Sequence, residues 1–178
     1  MNAPLPLLER DARWCLACNR WARRHAIRAY FAAVSRLGDG VFWYGLMAAL
    51  VLLDGWQGLY ASTHMAATGA VALLLYRRLK RWTRRKRPFA ADFRIRALVR
   101  PLDEFSFPSG HTLHAVAFTI VALHAYPLLS PLLLPFAASV ALSRVVLGLH
   151  YPSDVLAAIV LGVGLGVGSL ALPTLLGG

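Results

Sequence analysis

Five long apolar stretches constrain the fold of this chain more than any other feature. They lie at about 40–59, 62–79, 109–126, 131–149 and 154–172, and each approaches the roughly 20 mostly apolar residues of a helix that crosses a bilayer. Hydrophobic residues make up 58% of the chain and charged residues 15%, which is more apolar than is usual for a soluble domain. The sequence therefore predicts an all-α integral membrane bundle of about five spans.

The N-terminal segment 1–39 differs in composition from the rest of the chain. Its seven arginines are interleaved with aromatic and aliphatic residues, a pattern that suits an amphipathic helix lying in the headgroup region of a membrane. The apolar side chains change faces halfway along, which predicts a break near Arg23–Ala26. The alternative is one helix with one face on lipid and the other on the bundle. We therefore divide the chain into this interfacial segment and a transmembrane core, 40–178.

The basic residues are concentrated on one predicted face of the membrane. All 19 lysines and arginines lie in the N-terminal segment, between residues 77 and 100, or at Arg144. Leaving out Lys80, Arg87 and Arg144, which belong to the motifs described below, leaves sixteen on this face and none in the opposite turns. The positive-inside rule then places the N-terminus and the 80–108 loop in the cytosol. We interpret the cations outside the motifs as contacts for anionic phospholipid headgroups, and no nucleic-acid partner is predicted.

Three polar motifs lie at the ends of the apolar stretches. They are K-x6-RP at 80–88, PSGH at 108–111 and SR-x5-H-x3-D at 143–154. Ionisable groups are costly at such positions unless they serve a site. An arginine fork matches two phosphate oxygens and a lysine acts as a point charge, so the motifs predict a phosphate pocket at one face of the membrane.

Five positions in these motifs are candidate phosphate ligands. Arg87 and Arg144 provide guanidinium groups, Lys80 an ammonium group and Ser109 a hydroxyl. The backbone N–H of Gly110 adds a donor at the predicted N-terminus of a helix, where the helix dipole favours an anion.

In this order and spacing, the three motifs resemble those of the type 2 phosphatidic acid phosphatase family over roughly residues 76–172. The resemblance implies that His150 is a nucleophile that forms a phosphohistidine. It also implies that Asp154 accepts a hydrogen bond from the N–H of the His150 ring. His111 would act as general acid and then as general base. No metal site and no cofactor are expected, because the cationic and donor groups around these residues would repel a metal ion.

The leading functional prediction is a metal-independent membrane lipid phosphatase. A polyprenyl diphosphate such as undecaprenyl diphosphate ranks first as substrate, followed by phosphatidic acid and phosphatidylglycerophosphate. The alternatives are a lipid phosphotransferase, a vanadate-dependent haloperoxidase with the same type of pocket, and a non-catalytic protein that only binds phospholipid headgroups. The predicted location is a bacterial inner membrane. Charge bias favours a cytosolic site, whereas family analogy favours a periplasmic one.

Several further polar residues receive structural interpretations. Cys15 and Cys18 are interpreted as small residues on a helix face rather than as a redox or metal pair. Asp39, between two glycines, is predicted to form a turn and to cap the first span. Asp54 lies either near the far interface or in a hydrogen bond inside the bundle. Asp103, with the glutamate that follows it, is expected to pair with arginines of its loop.

Overall fold

The computed structural model describes residues 5–175, with side chains for residues 8–171. The all-α prediction is confirmed. The helical elements are α1 (Leu5–Trp21), α2 (His25–Arg36), a π-helical turn (Leu37–Val41), α3 (Phe42–Thr83), the short α4 (Pro88–Ala91), α5 (Gly110–Ala125), a 3-10 turn (Pro127–Leu129), α6 (Ser130–Val146) and α7 (Pro152–Leu175).

Helix α3 is a hairpin rather than a straight rod. The backbone leaves helical geometry at Asp54 and Gly55, where φ of the glycine is 51°. Beyond this turn the Ser62 hydroxyl donates a hydrogen bond of 3.0 Å to the carbonyl of Met47, so the two arms run antiparallel. Asp54 accepts a hydrogen bond from the Tyr126 hydroxyl at 2.7 Å, which places its carboxylate at the tip of the hairpin.

The turn of this hairpin comes about six residues earlier than the sequence predicted. We expected it near residues 60–61, but these positions lie within the second arm. A Cβ atom at Gly58 would lie 1.9 Å from the carbonyl oxygen of Leu50, so a glycine is required where the two arms meet. Apolar residues on both sides of the turn conceal it from a hydropathy profile.

Three stretches of the described chain are long and apolar enough to cross a membrane. They are His25–Thr83, which contains the hairpin, Pro127–Val146 and Pro152–Ala171. Helix α5 has 16 residues, fewer than the about 20 of a typical span. The total of five spans therefore stays a prediction.

Helix α5 lies at the centre of the bundle and packs against α3, α6 and α7. Its Phe118 joins a core cluster with Trp43 and Met65 of α3 and with Leu133 and Val140 of α6. This packing brings the N-terminus of α5 to the same end of the bundle as the C-terminus of α3 and the turn between α6 and α7.

The N-terminal segment packs against the same end of the bundle. The predicted break is confirmed, because α1 ends at Trp21 and α2 begins at His25. The Asn19 side chain donates hydrogen bonds of 3.0 Å to the carbonyls of Arg96 and Val146, and Cys15 is fully buried beside α6 and α7. Helix α2 runs along α6. The N-terminal segment, the loop after α3 and the α6–α7 turn therefore share one end, as the charge pattern predicted.

Candidate active site

The three motifs meet around a cavity of about 970 Å³ at this end of the bundle. Helix α3 ends there, the segment 84–109 crosses the end of the bundle, α5 begins there, and the α6–α7 turn closes the site from the other side. The motif residues that line the cavity are Lys80, Arg87, Gly110, His111, Arg144 and His150.

Two of the predicted phosphate ligands share one carboxylate. Lys80 and Arg87 are 6% and 2% exposed, and buried charges of this kind require compensation. The Lys80 ammonium lies 2.7 Å from both carboxylate oxygens of Asp103, and Arg87 Nη2 donates to Asp103 Oδ1 at 2.8 Å. Burial alone would raise the pKa of Asp103, but hydrogen bonds from Lys80 and the charge of Arg87 hold that pKa below its ordinary value. The expected pairing of Asp103 with a loop arginine is confirmed, whereas Glu104 forms no ion pair with any described side chain.

Arg144 is the third buried cation, and its guanidinium is only partly satisfied. The residue is 3% exposed, and Nη1 donates to the hydroxyl of Ser35 on α2. Its Nε–H has no acceptor among the described residues. A buried donor without an acceptor is destabilising by about 1–3 kcal/mol, so a phosphate oxygen at the cavity wall would relieve a cost already present in the fold.

The ring of His150 is held in one tautomer. Its Nδ1 lies 2.6 Å from the Ser106 carbonyl oxygen, and its Nε2 lies 3.2 Å from Arg87 Nη1. Since a guanidinium only donates and a carbonyl only accepts, the proton is on Nδ1 and the Nε2 lone pair accepts from Arg87, at the wall of the cavity. Burial, followed by the charges of Arg144 and Arg87, lowers the pKa of His150 well below its ordinary value. The imidazole is therefore neutral, as a nucleophile must be.

Asp154 lies near His150 in a different arrangement from the one that the family resemblance implies. Its Oδ2 is 3.7 Å from His150 Nδ1 and accepts a hydrogen bond of 2.9 Å from the Tyr151 backbone N–H. The closer acceptor for Nδ1 is the Ser106 carbonyl, which the loop after α3 brings across the α6–α7 turn. The backbone oxygen of Ser106 thus fixes the tautomer. The Asp154 carboxylate lies farther from Nδ1 and contributes a negative charge near the ring.

Sequence reasoning missed Arg85, which ties this carboxylate to α1. Arg85 Nη1 donates to Asp154 Oδ1 at 2.6 Å and to the Ser153 hydroxyl at 2.7 Å, while Nη2 donates to Asp11 Oδ2 at 2.8 Å. Its guanidinium also lies 4.3 Å from the centre of the Tyr151 ring. Nothing in the sequence distinguishes Arg85 from the other cations in its run. The signal that could have been used for Asp11 is an acidic residue within an otherwise arginine-rich segment.

The second motif forms the start of α5. The Ser109 hydroxyl is buried in an N-terminal cap, 2.9 Å from the Thr112 hydroxyl and 3.5 Å from the Thr112 backbone N–H. The oxygen accepts in this cap, and a hydroxyl keeps one O–H to donate, so the role of Ser109 as a phosphate donor stays a prediction. The amides of Gly110 and His111 precede the first intrahelical hydrogen bonds, so they are the donors that this helix end presents.

His111 lies beside an acidic residue that the sequence analysis interpreted as a helix cap. Its Nε2 is 3.3 Å from Asp39 Oδ1. The predicted turn at Asp39 is present as the π-helical turn, but no side-chain capping hydrogen bond is formed at the start of that turn or at the start of α3. The expectation of a cap was therefore wrong, and the carboxylate lies on the cavity wall.

The sequence model that describes the PAP2 superfamily matches residues 57–175 of this chain, a range that includes all three motifs. This chain is a member of the PAP2 superfamily. The match contains the region in which the motifs resemble the type 2 phosphatidic acid phosphatases and extends it toward the N-terminus.

Two bacterial phosphatases are similar to this chain. The decaprenylphosphoryl-5-phosphoribose phosphatase of Mycolicibacterium smegmatis is 33% identical over 129 residues, which are 69% of this chain and 66% of that protein. The undecaprenyl-diphosphatase BcrC of Bacillus subtilis is 30% identical over 131 residues, again 69% of this chain and 66% of that protein. The chain thus spans just under two thirds of the length of these relatives.

The fold is also similar to a solved PAP2 structure. The crystal structure of a transmembrane PAP2-type phosphatidylglycerolphosphate phosphatase from Bacillus subtilis matches with a TM-score of 0.76 and 26% identity, over 96% of this chain and 88% of that one. The likeness extends over nearly the whole bundle, including α1 and α2.

Proposed function

We propose that this protein is a metal-independent integral membrane lipid phosphatase. The observation that carries the proposal is a group of three buried cations, Lys80, Arg87 and Arg144, close to the neutral imidazole of His150. Charge–charge interactions are strengthened where water is excluded, and positioned cations stabilise the charge that develops on the oxygens of a phosphoryl group. The arrangement supplies both a binding site for the phosphate and a nucleophile.

The rest of the cavity suits an apolar tail. Beyond the cations its wall includes Trp43, Met47, Leu73, Leu74 and Phe118, which belong to the two arms of α3 and to α5. A mostly apolar pocket with a few convergent polar groups is typical of a ligand site. Two relatives are named for decaprenyl- and undecaprenyl-linked phosphates. We therefore rank a polyprenyl diphosphate first, before phosphatidic acid and phosphatidylglycerophosphate.

In the first half of the proposed reaction, the lone pair on His150 Nε2 attacks phosphorus and forms an N–P bond. The bond from phosphorus to the leaving oxygen breaks, and His111 donates its proton to that oxygen. Lys80, Arg87 and Arg144 bind the equatorial phosphoryl oxygens while this charge is transferred. The carboxylate of Asp154 stabilises the imidazolium character that His150 acquires.

In the second half, a water molecule attacks phosphorus as the N–P bond breaks. His111, now neutral, takes a proton from that water, and inorganic phosphate leaves. If a second lipid replaces water as the acceptor, the same intermediate gives phosphotransfer. Product analysis with and without an acceptor lipid distinguishes the two reactions.

The proposal is tested by measuring phosphate release from undecaprenyl diphosphate, phosphatidic acid and phosphatidylglycerophosphate in detergent with EDTA. We expect release by the wild type, and a loss of at least about 10³-fold in His150→Ala, as for other removed nucleophiles. His124→Ala is the matched control, because His124 is exposed on the last turn of α5 and does not line the cavity. The absence of release from every lipid, or release that survives in His150→Ala, would contradict the proposed reaction.

Acid quenching after mixing with a ³²P-labelled substrate tests the intermediate separately. We expect an acid-labile, alkali-stable label on the peptide that contains His150, and no label in His150→Ala. A hydrolase that is active without such a label would retain the phosphatase assignment but exclude the covalent route.

The membrane contacts and orientation are further parts of the proposal. Arg10, Arg13 and the exposed Trp14 line a shallow recess on α1, which suits anionic phospholipid headgroups.

We place the protein in a bacterial inner membrane with the active-site end in the cytosol, from the positive-inside rule. Reporter fusions to the N-terminus test this orientation: fluorescence of a fused GFP supports it, and activity of a fused alkaline phosphatase supports the periplasmic alternative.

A further inference from the structure

The π-helical turn Leu37–Val41 places one carboxylate on the wall of the active-site cavity. A π-helical turn inserts a residue into a helix and often lies at a functional site. Here Gly40 has φ of 127°, which side-chain-bearing residues rarely adopt. A Cβ atom at Gly38 would lie 2.8 Å from Val140, so this side of the turn packs directly on α6. The glycines on both sides of Asp39 thus allow the turn and its close packing on α6.

Asp39 is a poor candidate for a purely structural residue. It makes no capping hydrogen bond at this turn. Its Oδ1 lies 3.3 Å from His111 Nε2, and its charge also interacts with that of Arg144. Its side chain is 43% exposed, whereas that of His111 is 12% exposed. A carboxylate that faces a cavity and contacts the general acid is placed to influence proton transfer.

The surroundings of His111 oppose its protonated form. Burial comes first, followed by the charge of Arg144 on α6; the rings of His150 in the α6–α7 turn and His114 on α5 and the charge of Lys80 on α3 also act on it. The neighbouring Asp103 is already bound to two cations. Asp39 is therefore the carboxylate that can offset this positive charge by direct contact with His111.

We propose that Asp39 is a positioning residue that keeps His111 protonated for donation to the leaving group. The inference rests on the proposed phosphatase reaction. When the bond from phosphorus to the leaving oxygen breaks, the proton passes from His111 to that oxygen, and the charge of Asp39 does not change. In the second half, Asp39 stabilises the imidazolium that forms again when His111 takes a proton from water.

The test compares the pH dependence of kcat/KM for the wild type, Asp39→Asn and Asp54→Asn. Asp54 is the matched control, because its carboxylate lies at the tip of the α3 hairpin, bonded to Tyr126. An opposite charge in contact shifts a pKa by about one unit or more, and the alkaline limb of kcat/KM reports the free enzyme's acid. We expect Asp39→Asn to move this limb about one unit lower, with a roughly tenfold loss at pH values above it. Asp54→Asn should match the wild type, and Asp39→Glu should partly restore the limb.

A substrate with a good leaving group separates proton donation from folding. The anion of p-nitrophenol leaves without a proton, so kcat/KM of Asp39→Asn on p-nitrophenyl phosphate should stay within about threefold of the wild type. Near-normal activity on this substrate also shows that the variant is folded. Equal losses on the lipid and on p-nitrophenyl phosphate would overturn the inference, because they indicate a structural role. An unchanged profile on the lipid would overturn it too.

Failure of the inference and failure of the proposed function give different results. A wild type without lipid phosphatase activity, or activity that survives in His150→Ala, refutes the function. If the wild type is active and depends on His150, but the pH profile of kcat/KM for Asp39→Asn superimposes on that of the wild type, only the role of Asp39 is refuted.

Discussion

Replacement of Arg85 by methionine should destabilise the protein by about 3 kcal/mol. The guanidinium compensates two buried carboxylates at once, Asp154 at 2.6 Å and Asp11 at 2.8 Å, and it is only 19% exposed itself. Removal of one partner from a buried ion pair costs about 3–5 kcal/mol. We take the lower end because each carboxylate keeps a backbone donor, from Tyr151 and Ser153 respectively. Methionine retains most of the apolar stem, so the loss reports the charge.

The assay is thermal unfolding in detergent, with Arg84→Met as the control. Arg84 is the preceding residue and is exposed, and its side chain makes one hydrogen bond of 3.3 Å to a backbone carbonyl. For a chain of this length, 3 kcal/mol corresponds to a fall of roughly 6–12 °C in Tm, whereas the control should change by less than about 0.5 kcal/mol. Adding Asp11→Asn to Arg85→Met should recover part of the loss, because one uncompensated carboxylate disappears. Equal melting of the Arg85 and Arg84 variants would refute the reasoning.

Three further predictions concern stability and reactivity. The pKa of His150 lies well below its ordinary value of 6.5, so below about pH 6.5 only the unfolded chain binds the proton and stability should fall. Melting curves at several pH values should show a smaller fall in Tm for His150→Gln than for the wild type. Gly148 has φ of 74°, and a Cβ atom there would lie 2.5 Å from the carbonyl oxygen of Arg96. Gly148→Ala should therefore lower the free energy of unfolding by about 2 kcal/mol or more. Gly164 has open space around it, so Gly164→Ala should not lower the Tm. Cys15 is buried, and burial raises the pKa of its thiol to about 12, so maleimide should label it only after unfolding, as mass spectrometry of the labelled peptide would show.

The sequence predicted the class of fold because membrane insertion imposes a local rule. A spanning helix must be apolar over about 20 consecutive residues, and that pattern can be read without knowledge of any partner. The position of the first hairpin was predicted less well. Its turn depends on two backbones meeting at Gly58, and such a contact leaves no trace in the average hydropathy of the segment.

The chemistry of the motifs was equally accessible from the sequence. Lys80, Arg87 and Arg144 are cationic residue types that can be recognised in any sequence. His150 and Asp154 are only four residues apart, so their proximity in space can be predicted from the motif alone. These residue types, in that order, therefore predicted a phosphate pocket, and the structure brings the three cations and His150 to one cavity.

Only the tertiary structure decided which groups support that chemistry. The Ser106 carbonyl, rather than Asp154, is the nearest acceptor for His150 Nδ1. Arg85 joins carboxylates that lie 74 residues before it and 69 residues after it, and Asp39 reaches His111 from a π-helical turn in another part of the chain. The sequence supplied these groups but not their distances. Those distances follow from the packing of α1, the π-helical turn and the 84–109 loop around one end of the bundle, which no short spacing encodes.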